Sequence, residues 1–248
     1  MNYFYVEESQ ISESGIRIVG DDVNHMKNVL RLQLGEQVMV CDCVGSNYLC
    51  EIEAFPEKQV QLLIVEKREA DSELPVKLYL FQGLPKSDKM ELVIQKAVEL
   101  GVHEVIPVAM KRSIVKIEDK KKEAKKLERW QAIATAAAKQ SKRGIIPNVH
   151  KVLTYGEALL YAKDMDMKLF PYENAKDIDR SKELVATAPK MKSIAIFIGP
   201  EGGFDDKEIE AVEAIGGQII TLGKRILRTE TAGFTMLSIL MFEIENNQ

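Results

Sequence analysis

Between Ile16 and Val65, apolar and polar positions alternate in short runs at residues 17–20, 36–41, 48–54 and 59–65, with Gly35, Gly45 and Pro56 between them. A period of two over so few residues predicts half-buried strands, and several of them joined by turns predict a small β-barrel or sandwich. One stretch, residues 23–32, has the wider helical period and sets His25, Val29 and Leu32 on one side. Residues 67–75 are charged and end in proline. That places a boundary there, with a first domain over 1–71 and a second over 75–248.

Beyond Pro75 the pattern changes. Strand-like apolar runs at 76–82, 104–108, 167–170, 193–198 and 218–222 alternate with helical segments, which predicts an α/β domain around a largely parallel sheet. The helix over 88–100 opens with Asp88 three residues before Glu91, a capping-box spacing. It carries Met90, Val93, Ile94, Ala97 and Val98 on one face and stops at Gly101. In 122–141 the residues Leu127, Trp130, Ala134, Ala137, Ala138 and Ser141 align, so Trp130 reads as core rather than as a stacking platform for a base. Asp205 and Glu208 repeat the capping spacing at a helix over 205–215. The last helix, 231–244, is apolar at Phe234, Leu237, Ser238, Met241 and Phe242.

Composition narrows the class. At 46% hydrophobic and 29% charged the 248 residues match a soluble globular protein. No run nears the roughly 18 to 20 apolar residues of a membrane helix. The first residues lack the basic and apolar regions of a secretory signal, so a cytoplasmic location is expected. Cys41, Cys43 and Cys50 fall in strand-like runs without paired zinc spacing and are expected as plain buried thiols. His25, His103 and His150 are scattered over different elements, which argues against a metal site or a Ser-His-Asp hydrolase. The net charge is −4 but unevenly spread: residues 1–71 carry six bases against thirteen acids, and 111–143 carry twelve against four. A local phosphate-contacting surface is therefore open, best suited to Arg112 and the cluster Lys139, Lys142 and Arg143. The alternative is a solvated helix face.

Two loops carry the chemical information. Residues 198–204, Ile-Gly-Pro-Glu-Gly-Gly-Phe, join a buried strand to a helix, and their glycines permit close approach of backbone to a ligand. The spacing is neither that of a dinucleotide fingerprint nor that of a Walker loop, and Asp205 and Asp206 would repel a phosphate. Residues 222–232, Leu-Gly-Lys-Arg-Ile-Leu-Arg-Thr-Glu-Thr-Ala, hold Ile226 and Leu227 between Arg225 and Arg228. A surface connection is usually polar throughout, so something covers that middle: the domain's own core, a flat apolar ligand, or a second copy.

At these loops the chain resembles the RsmE family, the 16S ribosomal RNA (uracil N3) methyltransferases of the SPOUT superfamily. The likeness extends over His25 with 29–31 and Gly35, over 86–101, over Arg112-Ser113, and over Arg129-Trp130 through Gln140-Ser141, Arg143 and Pro147. Lys139 stands where the family often has Glu, and Asn2-Tyr3 where an Arg is usual. The resemblance implies a C-terminal trefoil-knotted SPOUT domain, against the general rule that chains do not thread, and a small N-terminal PUA-like β-barrel that helps hold RNA. It also implies S-adenosylmethionine as methyl donor, a homodimer with the active site near the subunit boundary, and 16S ribosomal RNA of the small subunit as substrate, with no membrane and no metal. The donor site it implies comprises Phe170, Pro171, Ile198, Gly199, Pro200, Glu201, Gly202, Gly203, Leu222, Gly223, Ile226, Leu227 and Arg228. Lys27, Arg31, Lys86, Arg112, Arg143 and Arg225 are the expected RNA contacts.

Methylating uracil N3 requires loss of the N3 proton, because the imide lone pair is a poor nucleophile until it is an anion. Arg228 is the expected stabiliser of that negative charge. Glu201 and Glu230 are the carboxylates available to accept the proton, and the sequence does not separate them; Glu230 has the alternative of capping the final helix. The rival readings are a SPOUT-type methyltransferase acting on ribose 2′-hydroxyls and a non-catalytic RNA-binding module. Arg228 and the glycines at 199, 202 and 203 count against the latter.

Overall fold

The computed structural model describes residues 1–115 and 119–247. Lys116 and Glu118 of the basic run lie outside the described residues. The chain divides into two compact units, Met1–Glu73 with Ala138–Ile146, and Leu74–Ala137 with Pro147–Gln248. The nine-residue excursion that joins the first unit carries no composition signal that would set it apart from the helix before it.

The first unit contains β1 (Tyr3–Tyr5), β2 (Gly15–Ile18), α1 (Asp21–Asn24), β3 (Gln37–Cys41), β4 (Ser46–Ala54) and β5 (Val60–Glu69), in the sheet order β1-β3-β4-β5-β2. β1 runs parallel to β3, and the other pairings are antiparallel. Inward residues of alternate positions, among them Ile16, Val38, Val40, Ile52, Val60 and Leu62, form one core. The insert predicted as a helix over 23–32 is α1 followed by a π-helical turn, His25–Val29. Val23 in α1 and Met26 in the wider turn are buried in the core and Val29 is 61% exposed, so of the side expected from His25, Val29 and Leu32 only Leu32 packs against the core, half-buried. Cys41 and Cys50 are buried free thiols, and Cys43 is half-buried in the turn between β3 and β4.

Arg143 and Glu73 close this unit. The Arg143 side chain is 4% exposed and its Nε donates to Glu73 Oε1 at 3.1 Å, while the Glu73 carboxylate also accepts from the Gly144 backbone N–H at 2.9 Å. Arg143 is thus a buried structural cation. Its expected place among the RNA contacts is corrected by that burial.

The second unit holds β6 (Lys77–Gly83), α2 (Lys89–Glu99), β7 (Glu104–Ala109), α3 (Lys120–Ser141, its last turn in the first unit), β8 (Asn148–Val149), β9 (Leu153–Thr154), α4 (Tyr155–Ala162), β10 (Met167–Pro171), α5 (Ile178–Ala186), β11 (Ser193–Ile198), α6 (Asp206–Glu213), β12 (Gln218–Ile220) and α7 (Thr229–Glu245). Its strands are all parallel, in the order β12-β10-β11-β6-β7-β8, with β9 paired to β7. Helices on its faces bury the near-continuous apolar runs that mark parallel strands. Phe197 lies between Phe81 and Phe170 with ring centroids 4.3 and 4.4 Å away, a stack across three neighbouring strands. Trp130 is buried as expected. The capping box of Asp205 and Glu208 forms, whereas Asp88 makes no side-chain cap on α2 and Glu91 instead pairs with Arg129 at 2.8 Å.

Candidate functional site

In an open parallel sheet, ligands sit beyond the carboxyl ends of the strands, where strand order reverses. Here the chain leaves β6 for β7 and β8, then returns to build β10, β11 and β12 on the other side. A cavity of about 360 Å³ opens beyond the ends of β10, β11 and β12, lined by Pro171, Ile198 and Thr221 and by the two loops singled out in the sequence. Pro171, Ile198, Gly199, Pro200, Glu201, Gly203, Leu222, Gly223, Arg225, Ile226, Leu227 and Arg228 all line it.

Two expected residues do not. Phe170 is fully buried in the aromatic stack under the floor. Gly202 faces away from the cavity: a Cβ there would come within 2.9 Å of Arg112 Cβ and 3.2 Å of the Arg112 carbonyl oxygen. Gly202 is therefore needed for close packing of two loops, and not for the close approach of backbone to a ligand expected of the loop's glycines. Gly203 has a φ of +68°, a left-handed conformation that favours glycine, and donates its N–H to the Pro200 carbonyl at 2.9 Å, closing the turn.

The floor is tied together by hydrogen bonds from three elements. Thr229 Oγ1, at the start of α7, donates to the Gly199 carbonyl at 2.6 Å and accepts from Gln82 Nε2, at the end of β6, at 2.8 Å. Gln82 also donates to the Gly83 carbonyl at 3.1 Å, and its own Oε1 is buried without a partner among the described residues. On the other loop, Thr221 Oγ1 accepts from the Gly223 N–H at 3.2 Å. Thr229 and Gln82 escape sequence reasoning because their partners lie 30 and 147 residues away along the chain.

The charges in the wall are organised by Lys89, on the first turn of α2. Its Nζ lies 3.1 Å from Glu201 Oε1 and 3.4 Å from Glu230 Oε2. The Lys86 backbone N–H donates to the same Glu201 oxygen at 3.1 Å, so both bonds fall on Oε1. Burial alone would raise the Glu201 carboxyl, but the Lys86 N–H, its own N–H and the Lys89 ammonium outweigh it and hold it below the ordinary carboxylate range. Glu230 is not in the lining. Its side chain is 14% exposed, behind Lys89, in the first turn of α7, where a negative charge also meets the positive end of the helix. Arg228 is exposed at the cavity rim, and its guanidinium makes no ion pair among the described residues.

Of the expected RNA contacts, Arg31, Lys86, Arg112 and Arg225 are exposed. Lys27 is half-buried, donating to the Pro56 carbonyl at 2.6 Å and lying 5.7 Å over the Phe55 ring. Lys89, Tyr172, Glu173, Thr221 and Lys224 line the cavity without having been expected there. For Tyr172 and Glu173 the available signal was their place just past the carboxyl end of a parallel strand.

No helix among the described residues is long and apolar enough to cross a membrane, and no cluster of metal-ligating side chains occurs among them.

Residues 72–241 match the model of the RNA methyltransferase domain, and residues 18–65 that of the RNA methyltransferase PUA domain. The ribosomal RNA small subunit methyltransferase E of Bacillus subtilis is 38% identical over 99% of this chain and 98% of its own length. That of Mesomycoplasma hyopneumoniae is 35% identical over 96% and 98%. The crystal structure of the Neisseria gonorrhoeae ribosomal RNA small subunit methyltransferase E bound to S-adenosyl methionine superposes with a TM-score of 0.78 at 30% identity, covering 98% of this chain and 97% of that one. A chain with this cavity, these loops and this end-to-end similarity belongs to the RNA methyltransferase family whose curated members include the ribosomal RNA small subunit methyltransferases E.

Proposed function

We propose that this protein transfers a methyl group from S-adenosylmethionine to N3 of a uridine in 16S ribosomal RNA of the small subunit. The observation that carries the reading is the cavity itself, formed by both diagnostic loops at the carboxyl ends of β10, β11 and β12. Its residues fit the donor. Ile198, Leu222 and Leu227 give apolar surface for a flat adenine, backbone groups of the two loops give it polar partners, and Glu173 and Glu201 suit a ligand that carries sulfonium and ammonium charges. A volume of about 360 Å³ suits a nucleoside-sized molecule.

The bound donor supplies an electrophilic methyl group. The chain's own residues supply the rest. Arg228 stabilises negative charge developing on the uracil, and its planar guanidinium can hold a carbonyl oxygen. Glu201, in the cavity wall and ionised at neutral pH, accepts the N3 proton on Oε2, since Oε1 is already engaged by Lys86 and Lys89. Glu230 serves as the second counterion of Lys89. The exposed cations Arg31, Lys86 and Arg225 are the RNA contacts of this scheme; Lys27 is a weaker member of the set because its ammonium is already occupied, and Arg112 is turned toward the glycine loop. The two-domain division, with residues 138–146 added to the first domain, the trefoil knot, the homodimer and the cytoplasmic location belong to the same reading, in which ribosomal RNA is met where ribosomes are assembled.

Single-turnover transfer from labelled donor to 16S ribosomal RNA, followed by mass spectrometry of the nucleosides, tests it. The expected product is 3-methyluridine. Methyl label on a ribose 2′-hydroxyl would favour the rival chemistry, and no label with no donor binding would favour a non-catalytic RNA-binding module.

A further inference from the structure

The glycine loop 199–205 is braced from outside by the turn that follows β7. In that turn the Ser113 N–H donates to the Met110 carbonyl at 3.0 Å, and the Met110 N–H donates to Ser113 Oγ at 3.3 Å. Lys111 and Arg112 stand at its tip. The Lys111 backbone N–H donates to Glu208 Oε1 at 2.9 Å, and Glu208 Oε2 accepts from the Asp205 N–H at 2.8 Å, so one buried carboxylate links the two loops. Lys111 Nζ pairs with Asp205 Oδ1 at 2.9 Å. Arg112 goes further into the loop: Nη1 donates to the Gly202 carbonyl at 3.3 Å and Nη2 lies 3.6 Å from Asp205 Oδ2, while its Cβ and carbonyl oxygen occupy the space a side chain at Gly202 would need.

We infer that Arg112 is a positioning residue for the donor cavity: it holds the glycine loop, through the Gly202 carbonyl and Asp205, in the shape that binds S-adenosylmethionine. This rests on the assignment of the cavity to that donor. Arg112 itself is absent from the cavity lining, so it acts through the loop and not by touching the ligand. Gly203, whose turn to Pro200 closes the loop beside the ligand, is the next residue after the carbonyl that Arg112 holds. The Gly202 carbonyl and the Asp205 carboxylate engage one guanidinium nitrogen each, leaving less of the donor fork for a phosphate than a free surface cation would offer.

The test is calorimetric titration of the full chain with S-adenosylmethionine for the wild type, Arg112→Ala, Arg112→Lys and Lys111→Ala, alongside thermal unfolding and the salt dependence of ribosomal RNA binding. Arg112→Ala is expected to weaken donor binding roughly three- to tenfold, the range of one lost hydrogen bond to a charged donor at a partly exposed site. Arg112→Lys, which can still donate to the Gly202 carbonyl, is expected to recover most of that loss. Lys111→Ala removes the same unit of charge and one contact to Asp205 but leaves the Gly202 carbonyl held, and is expected to weaken donor binding less than Arg112→Ala does; an equal loss in both assigns the effect to charge at the turn and overturns the proposal. Unchanged donor affinity in Arg112→Ala overturns the proposal, the more so if its RNA salt slope falls by roughly 0.7 to 0.9, the mark of a phosphate contact. A melting temperature lowered alike in Ala and Lys, with no rescue of affinity, overturns it in favour of a general packing role. Absence of donor binding by the wild type overturns the assignment of the cavity and this proposal together.

Discussion

Arg228 stands at the N-terminal end of α7, exposed on the rim of the cavity, with an extended backbone (φ −65°, ψ 155°) that lets its carbonyl accept the first helical bond, from Ala232, at 2.8 Å. The backbone is thus fixed by the helix while the guanidinium stays available to a substrate. Lysine keeps the charge but loses the planar fork. Arg228→Lys is expected to lower kcat by at least about tenfold, or about 1.4 kcal/mol of barrier, with S-adenosylmethionine affinity nearly unchanged. Charge-only stabilisation would instead give a small loss for lysine and a large one for alanine, and single-turnover transfer with donor titration of both variants distinguishes the two. Glu201 gives a second test at the same scale, through pH. Its folded-state carboxyl lies below the ordinary range, so its ionised form adds stability at neutral pH, and that contribution is lost as the pH falls through the depressed value. Between about pH 6 and about pH 3.5 the melting temperature of Glu201→Gln should therefore fall less than that of the wild type. An equal fall in both would mean that the Lys86 and Lys89 contacts do not hold in solution.

At the scale of elements, the site depends on three chain segments meeting at one hydroxyl. Thr229 joins the start of α7 to the end of β11 through Gly199 and to the end of β6 through Gln82, and it is buried. Thr229→Val keeps the shape, removes the donor to Gly199 and strands both partners, so a loss of about 1–3 kcal/mol in urea unfolding is expected. Donor affinity should fall as well, because the Gly199 carbonyl is no longer held. Much of the scaffold around this node was legible in the sequence. The run 193–198 coincides with β11, the Asp205 and Glu208 spacing forms its capping box, and the final helix exceeds its predicted span by only a few residues. These features are local, set by side-chain period and by hydrogen bonds over three or four residues. The capping spacing at Asp88 shows the limit, because Glu91 finds a better partner in Arg129, 38 residues on. The π-helical turn at His25–Val29 shows another, since a shifted helical period changes which residues face the core. Within the site, both loops were legible as loops. The direction in which Gly202 faces, the clamp by Lys89 and the burial of Arg143 were not, because each is decided by a partner distant in sequence.

On the scale of the whole molecule, charge does two different jobs that composition cannot tell apart. Arg143 was counted within a basic run, yet it serves the first unit as a buried partner of Glu73. Removing one member of a buried pair leaves the other uncompensated, so Arg143→Ala is expected to cost about 3–5 kcal/mol of stability in denaturant unfolding. Any change in RNA affinity should follow the loss of folded protein and leave the salt slope per folded molecule as it was.

Several apolar side chains of the second unit are also exposed. Ile226, between the two arginines of the second loop, is 83% exposed, and Phe242, on α7, is 67% exposed, with Ile239 on the same helix at 39%. Single exposed apolar residues are ordinary, but a bare aromatic on the helix that also carries Arg228 and Thr229 at its start fits the proposed homodimer, with the active site near the boundary. In a twofold dimer each substitution acts twice. Burying the exposed part of two phenylalanines contributes about 2–4 kcal/mol, enough to decide association at micromolar concentration. Phe242→Glu places a charge on each side of that contact and leaves the cavity lining untouched, since Phe242 is not part of it. The expected result is a monomer by sedimentation equilibrium at concentrations where the wild type is dimeric, with folding retained in the circular dichroism spectrum. If the boundary helps build the site, methyl transfer falls with dissociation and recovers as protein concentration rises. A Phe242→Glu variant that remains dimeric would move the interface elsewhere, and a monomer with wild-type turnover would show that one chain holds the whole active site.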